Sequence, residues 1–291
     1  MHRNRPTVST LLALCGALLL PPRPVAEPSL PTLPELPNEA EARAEHFLVE
    51  WRGRGPHPGR GLEVIDELDQ ARARGELGIV EFRRRRVDGG WQLEQDIAFP
   101  FEGIRLMAVE CLSAKSPRLV WREVTERGGR TIFAEWMARS EQLKVLEWGL
   151  DGSLRESLET SRGAVMPQYL LELARSGRVD GGSFEVFDPL RGRLEHWTLE
   201  QRYVLGEPGD ERTAADPSHP RREIELRRDD GTLAGRYRFE GTDLIGFEWQ
   251  EGGLALRRID AAEYEERRQA WGLDPQAEED PDGAPPAVKD L

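Results

Sequence analysis

Residues 77–93, LGIVEFRRRRVDGGWQL, decide the fold. Val80 and Phe82 share one side of an alternating run, Asp88-Gly89-Gly90 turns the chain, and Trp91 and Leu93 begin the return. Asp-Gly between two period-two segments marks a hairpin, because tight primed turns need positive φ and the flanking alternation supplies a pleated strand on each side. The unit recurs. Leu119–Thr125 and Thr131–Met137 flank Gly128-Gly129, and Leu143–Trp148 and Leu154–Leu158 flank Asp151-Gly152. Glu223–Arg228 and Leu233–Phe239 flank Asp230-Gly231, and Leu244–Trp249 and Leu254–Ile259 flank Gly252-Gly253. A further long strand alternates Glu195, Trp197, Leu199, Gln201 and Tyr203 against His196, Thr198, Glu200, Arg202 and Val204.

Roughly ten short strands joined to their sequence neighbours predict a mainly β chain: one large antiparallel meander forming a curved half-barrel or barrel-like sheet with a few short helices. One helix interrupts the meander. Pro167 occupies a first-turn position, Tyr169, Leu170, Leu173 and Ala174 form an apolar stripe, and Ser176-Gly177 ends it. A last helix starts at Asp260 as N-cap and runs to Trp271. Asn38 is read as the N-cap of a first helix carrying Ala40, Ala44, Phe47, Leu48 and Trp51 on one face. Residues 52–61 read as a glycine-rich loop, and the spacing of Leu62, Ile65, Leu68 and Ala71 favours a helix stopped by Gly75.

The ends read differently from the body. Residues 1–26 have the form of a secretory signal peptide: Arg3 and Arg5 without an acid, an 11-residue apolar stretch from Thr10 to Leu20, and a cleavage site after Pro24-Val25-Ala26. That stretch is shorter than the roughly 20 helical residues a bilayer requires. Leu14 before Cys15 is too bulky for a lipoprotein signal. Residues 27–38 are a proline-rich linker, 39–273 a single antiparallel β domain, and 274–291 an acidic, disorder-like tail. The expected location is periplasmic or extracellular, with no membrane span after cleavage; an uncleaved N-terminal anchor is the alternative.

Charge and cysteine content exclude several classes. Among 291 residues, 40 Lys and Arg stand against 53 Asp and Glu, a formal charge of −13, which argues against nucleic acid as a partner. Loss of Arg3, Arg5 and Arg23 with the signal makes the charge more negative still. Cys111 is then the single cysteine, set in an apolar run and read as a small core hydrophobe. His46, His57, His196 and His219 form no metal-binding spacing, no phosphate-binding loop is present, and Gly182-Ser183-Phe184 lacks the second glycine of a nucleophile elbow. No catalytic residue, metal ligand or cofactor is expected.

The strand Gly78-Ile-Val-Glu-Phe82, the turn Asp88-Gly-Gly-Trp91 and the helix Met166-Pro-Gln-Tyr-Leu-Leu-Glu-Leu-Ala174 inside a long meander resemble the periplasmic LolA/LolB-like lipoprotein-carrier superfamily and its uncharacterised relatives. That resemblance, over residues 77–259, implies a curved sheet whose concave side is covered by short helices and binds acyl chains or lipoproteins.

From the residues, the candidate ligand lining is Phe82, Trp121, Trp136, Trp148 and Trp197, with Arg84 and Arg86 as a cationic rim on the Phe82 face. Parity sets Trp148 with Leu146, and Trp197 with Leu199 and Tyr203, pointing inward. The reading is an exported, non-enzymatic binding or carrier protein for a lipid, a lipoprotein or another amphipathic ligand. An envelope scaffold with a filled core, or a hydrolase built on two carboxylates, are the alternatives.

Overall fold

The computed structural model describes residues 43–53, 67–87, 90–113, 117–137, 139–149, 151–161, 163–177, 182–203, 221–250 and 253–273. The expected signal peptide, proline-rich linker, acidic tail, His57, His219 and most of the glycine-rich loop lie outside these residues.

The strands are β1 Arg43–Trp51, β2 Glu76–Val87, β3 Gly90–Phe99, β4 Ile104–Ser113, β5 Arg118–Thr125, β6 Gly128–Met137, β7 Gln142–Trp148 and β8 Leu154–Thr160. They continue with β9 Ala164–Val165, β10 Ser183–Asp188, β11 Arg193–Tyr203, β12 Arg221–Arg228, β13 Leu233–Glu240, β14 Asp243–Trp249 and β15 Leu254–Ile259. The helices are α1 Glu67–Ala73, α2 Pro167–Ser176 and α3 Ala261–Ala270. All the strands belong to one sheet, in the order β8-β7-β6-β5-β4-β3-β2-β1-β15-β14-β13-β12-β11-β10-β9. Each described hairpin expected from the glycine turns is present in antiparallel register, including Phe82 opposite Gln95 and Trp121 opposite Ile132. Among the described residues the one parallel pairing is the two-residue contact of β9 with β10.

The first helix expected from the sequence is instead β1. It pairs with β2 on one side and with β15 on the other, which joins the two halves of the meander into a single sheet. Phe47, Leu48 and Val49 are all buried, because β1 is covered on both faces. Phe47 and Val49 join the main core, whereas Leu48 packs on the opposite face with Ile79, Tyr264 and Trp271 of the α3 region. A strand apolar on both sides shows no period-two alternation.

The helices divide between the two faces. α2 lies on the concave face: Tyr169, Leu170, Leu171, Leu173 and Ala174 join a core with Phe47, Val80, Leu93, Leu199, Ile224 and Phe239. α1 and α3 cover the convex face over β1 and β2. As expected, Asp260 caps α3, accepting from the Glu263 amide at 2.8 Å.

Among the described residues no strand pairing closes the sheet; its two ends overlap. On β10, Val186 faces the α2 core, while Phe187 on the other side packs with Trp121, Ile132, Trp136, Leu143 and Val145 from β5, β6 and β7. The β9–β10 end is therefore tucked inside the curl of the β5–β8 end. Several contacts fasten the seam, among them that of Arg130 of β6, which donates to the Leu190 carbonyl at 3.2 Å. The Trp136 indole donates to the Ser161 carbonyl at 3.4 Å, the Ser161 hydroxyl to Glu185 at 2.5 Å, and the Leu194 amide to Glu159 at 3.2 Å.

Charged residues line the convex face as cross-strand pairs, such as Arg105 with Asp96 at 2.5–2.8 Å and Arg118 with Glu135 at 2.9 Å. This accounts for much of the chain's arginine and glutamate. Partly exposed pairs of this kind contribute up to about 1 kcal/mol each.

Candidate functional site

The site is built around α2, whose ends are fixed by side chains from distant strands. Pro167 at its first position has no N–H to satisfy, and Met166 offers no side-chain cap. The next two amides are met by Glu110 of β4: Gln168 N–H donates to one carboxyl oxygen at 2.7 Å and Tyr169 N–H to the other at 2.9 Å. Glu110 itself is wholly buried. At the other end, Gly177 takes a left-handed conformation (φ 67°) and donates to the Ala174 carbonyl. Arg222 of β12 donates to the carbonyls of Arg175 and Gly241 at 2.9 and 2.8 Å.

A buried chain of alternating charge holds the flank of α2. Arg84 donates to Glu172 at 2.8 Å, Glu172 lies 3.2 Å from Arg175 Nε, and Arg175 grips Glu45 of β1 with two bonds of 3.0 and 2.6 Å. Each charge faces an opposite one, as burial requires.

Beneath the N-terminus of α2 lies a cavity of about 340 Å³. Its walls are mostly apolar: Ile97, Leu106, Leu119 and Trp121 from β3, β4 and β5, Phe187 from β10, and Trp197, Leu226, Phe247, Trp249 and Leu256 from β11, β12, β14 and β15. It is open at the β10–β11 hairpin, where Leu190 is 60 % exposed beside Pro189, Asp188 and Arg191. Its closed end carries the polar groups Gln95, Glu110, Gln168 and Tyr237. Three aromatic rings form one wall. Tyr237 and Phe247 have centroids 4.5 Å apart, and Phe247 meets Trp249 edge-on at 4.4 Å.

Electrostatics single out Glu110. Burial pushes its carboxyl up to about 8, against the pull of the Gln168 and Tyr169 amides, and the negative charge of Glu172 pushes in the same direction as burial. The Tyr237 phenol is raised by burial and by the charge of Glu110.

The sequence-derived lining residues divide. Phe82, Trp121 and Trp197 border the cavity. Trp136 does not: it is 4 % exposed and buried in the overlap seam. Trp148 is on the convex face. On β7, Leu143 and Val145 supply the inner core, so Leu146 and Trp148 point the other way, and Trp148 stands opposite the exposed Leu154. Arg84 shares the Phe82 face as expected, but its guanidinium is engaged by Glu172 beside α2 and forms no open rim. Arg86 is exposed and outside the cavity lining. Cys111 is half-buried on the convex side of β4, and burial pushes its thiol up. His46 lies 3.4 Å from Glu81 and stacks near Tyr264, and His196 lies 3.9 Å from Glu185. Among the described residues no group of three potential ligands gathers for a metal ion, and no helix is long and apolar enough to cross a membrane.

Glu110 was not singled out from the sequence. Its signal is an acid at an inward position of the alternation Leu106, Ala108, Glu110, Leu112.

No protein-family model matches the chain, and no curated protein matches it. Among solved structures, it is similar to a β-barrel-like protein of domain of unknown function DUF1849 from Brucella abortus, at 11 % identity and a TM-score of 0.44, over 75 % of this chain and 96 % of that chain.

Proposed function

We propose that this protein is an exported, non-enzymatic binding or carrier protein of the cell envelope, which holds a hydrophobic or amphipathic small molecule in its concavity. The observation that carries the reading is the cavity of about 340 Å³ with apolar walls, one solvent-exposed end and one buried end. Its size falls in the range of roughly 300–1,000 Å³ typical of small-molecule sites. The space left beneath α2 speaks against a scaffold with a filled core. A two-carboxylate hydrolase needs a second acid free to act beside Glu110. Glu172 is taken by Arg84 and Arg175, and Asp188 accepts from the amides of Leu190 and Arg191. The export part of the reading rests on residues 1–26, and fractionation with N-terminal sequencing of the secreted chain tests it.

Binding is tested with the full chain and 1-anilinonaphthalene-8-sulfonate as probe. Saturable one-to-one binding, with energy transfer from tryptophan, is expected, and native mass spectrometry of protein purified from its own envelope should show a bound small molecule. Non-saturable dye binding together with repeatedly empty protein would overturn the reading.

A further inference from the structure

Building on the cavity reading, we infer that the closed end of the cavity seats a cationic group, so that the ligand is an apolar molecule carrying an ammonium, its hydrocarbon extending toward the β10–β11 mouth. Three features of the closed end point to this chemistry. A fixed acid is present: each Glu110 oxygen accepts one backbone N–H from α2 and keeps further lone-pair capacity. The nearby arginines are already engaged, Arg84 by Glu172 and Arg175 by Glu45, and the charged group that acts on Glu110 is Glu172, of its own sign. Tyr237, Phe247 and Trp249 form an aromatic wall, Tyr237 tilted against Phe247 and Phe247 edge-on to Trp249, and aromatic walls beside an acid attract alkylammonium groups. Glu110 exposes no surface itself; the half-buried Tyr237 and Gln95 line the cavity beside it, and Gln95 accepts from the Gln168 side-chain amide at 3.4 Å. An anionic head at this end would sit against the Glu110 carboxyl, on which the charge of Glu172, not that of a cation, acts.

The titratable groups around Glu110 are Glu172 and Tyr169 of α2 and Tyr237 of β13, with Asp188, Arg191 and Arg228 at the mouth. Near neutrality Glu110 carries its proton. Seating the ammonium favours the carboxylate, and that proton leaves to solvent. Amine affinity is therefore linked to pH, while a neutral analogue of the same length is not.

The experiment displaces the dye from the full chain with decylamine, decanol and decanoate between pH 6 and pH 9. Decylamine should bind more tightly as pH rises, by up to about tenfold per unit until the carboxyl is ionised near pH 8. Decanol should stay flat, and decanoate should show no such rise. Glu110→Gln should remove the amine's pH dependence and keep decanol binding. Should that variant fail to fold, Tyr237→Phe and the wild-type pH profile carry the test, with weaker amine binding expected for Tyr237→Phe. Decylamine binding that is flat with pH and no tighter than decanol at pH 9 overturns the inference and leaves the cavity reading standing. Failure of all three probes overturns both.

Discussion

Replacing Glu110 by Gln separates the two opposing forces on this side chain. Burial raises the folded-state carboxyl from its ordinary 4.5 to about 8, so the native protein holds a proton that the unfolded chain releases over that interval. The sign follows from linkage. A carboxyl raised in the folded state contributes its full stability below pH 4.5, and that contribution is lost as pH rises toward 8. The slope is about 1.4 kcal/mol per pH unit, which over this window amounts to a loss on the order of 5 kcal/mol. Glutamine keeps the shape of the neutral acid and cannot titrate. It has one carbonyl oxygen, so one of the two α2 amides loses its acceptor, at a cost of about 1–3 kcal/mol that does not vary with pH. The variant should therefore be less stable than wild type near pH 5 and more stable near pH 8, the curves crossing between. Urea unfolding of both full chains at pH 5, 6, 7 and 8, followed by tryptophan fluorescence, measures the difference, in which the titration of other groups cancels. Parallel curves across this interval would refute the reasoning. They would mean that the two amides of α2 hold Glu110 ionised at an ordinary carboxylate value.

Three further outcomes follow from the same geometry. Ala108→Phe puts a ring into the cavity that Ala108 borders, so dye binding should fall at least about tenfold while the thermal midpoint holds or rises, since filling a void commonly adds about 0.5–2 kcal/mol; undiminished binding would place the ligand elsewhere. Arg175→Met leaves Glu45 without its two bonds and Glu172 without one partner, which should cost about 3–5 kcal/mol by urea unfolding. Adding Glu45→Gln should recover part of that loss, and no recovery would count against the pair as the cause. Gly177→Ala forces a Cβ into a left-handed position, where it would meet Arg222 Nη1 at 2.7 Å. A loss of about 1–2 kcal/mol and faster amide exchange in α2 are expected, and unchanged exchange would show that Arg222 does not hold this helix end.

The hairpins were legible because each carries its own evidence: glycines where the turn needs positive φ, as at Gly152 (φ 73°) and Gly231 (φ 78°), between runs with a period of two. β1 was not, and the reason is its place in the sheet. It lies at the junction of the two halves, where Phe47 meets the α2 core and Leu48 the α3 side, so apolar residues stand on adjacent positions and mimic one stripe of a helix. The orientation of Trp148 failed for a related reason. Near the β8 edge both faces of β7 are apolar, Leu143 and Val145 on one and Leu146 and Trp148 on the other. Alternation fixes that two side chains share a face, but which face turns inward is decided by how the sheet curls. That in turn depends on β10 tucking under β6 and β7, a contact between strands far apart in the chain.

Glu110 was hidden for yet another reason. In a chain with 53 acidic residues a lone glutamate carries no weight, and its inward parity beside Ala108 and Leu112 is one observation among many. A second, independent sign was present at the other end of the interaction. Met166-Pro167 opens α2 with neither Ser, Thr, Asp nor Asn at the cap, so the amides of Gln168 and Tyr169 need an acceptor from outside the helix. A buried helix start without its own cap and an inward acid on an apolar strand each leave one requirement open, and each satisfies the other. That mutual need places the N-terminus of α2 against β4 and fixes the closed end of the cavity. The burial that makes the strand suitable as a cavity wall is also what raises the carboxyl, so the position of α2 and the titration of Glu110 share one cause.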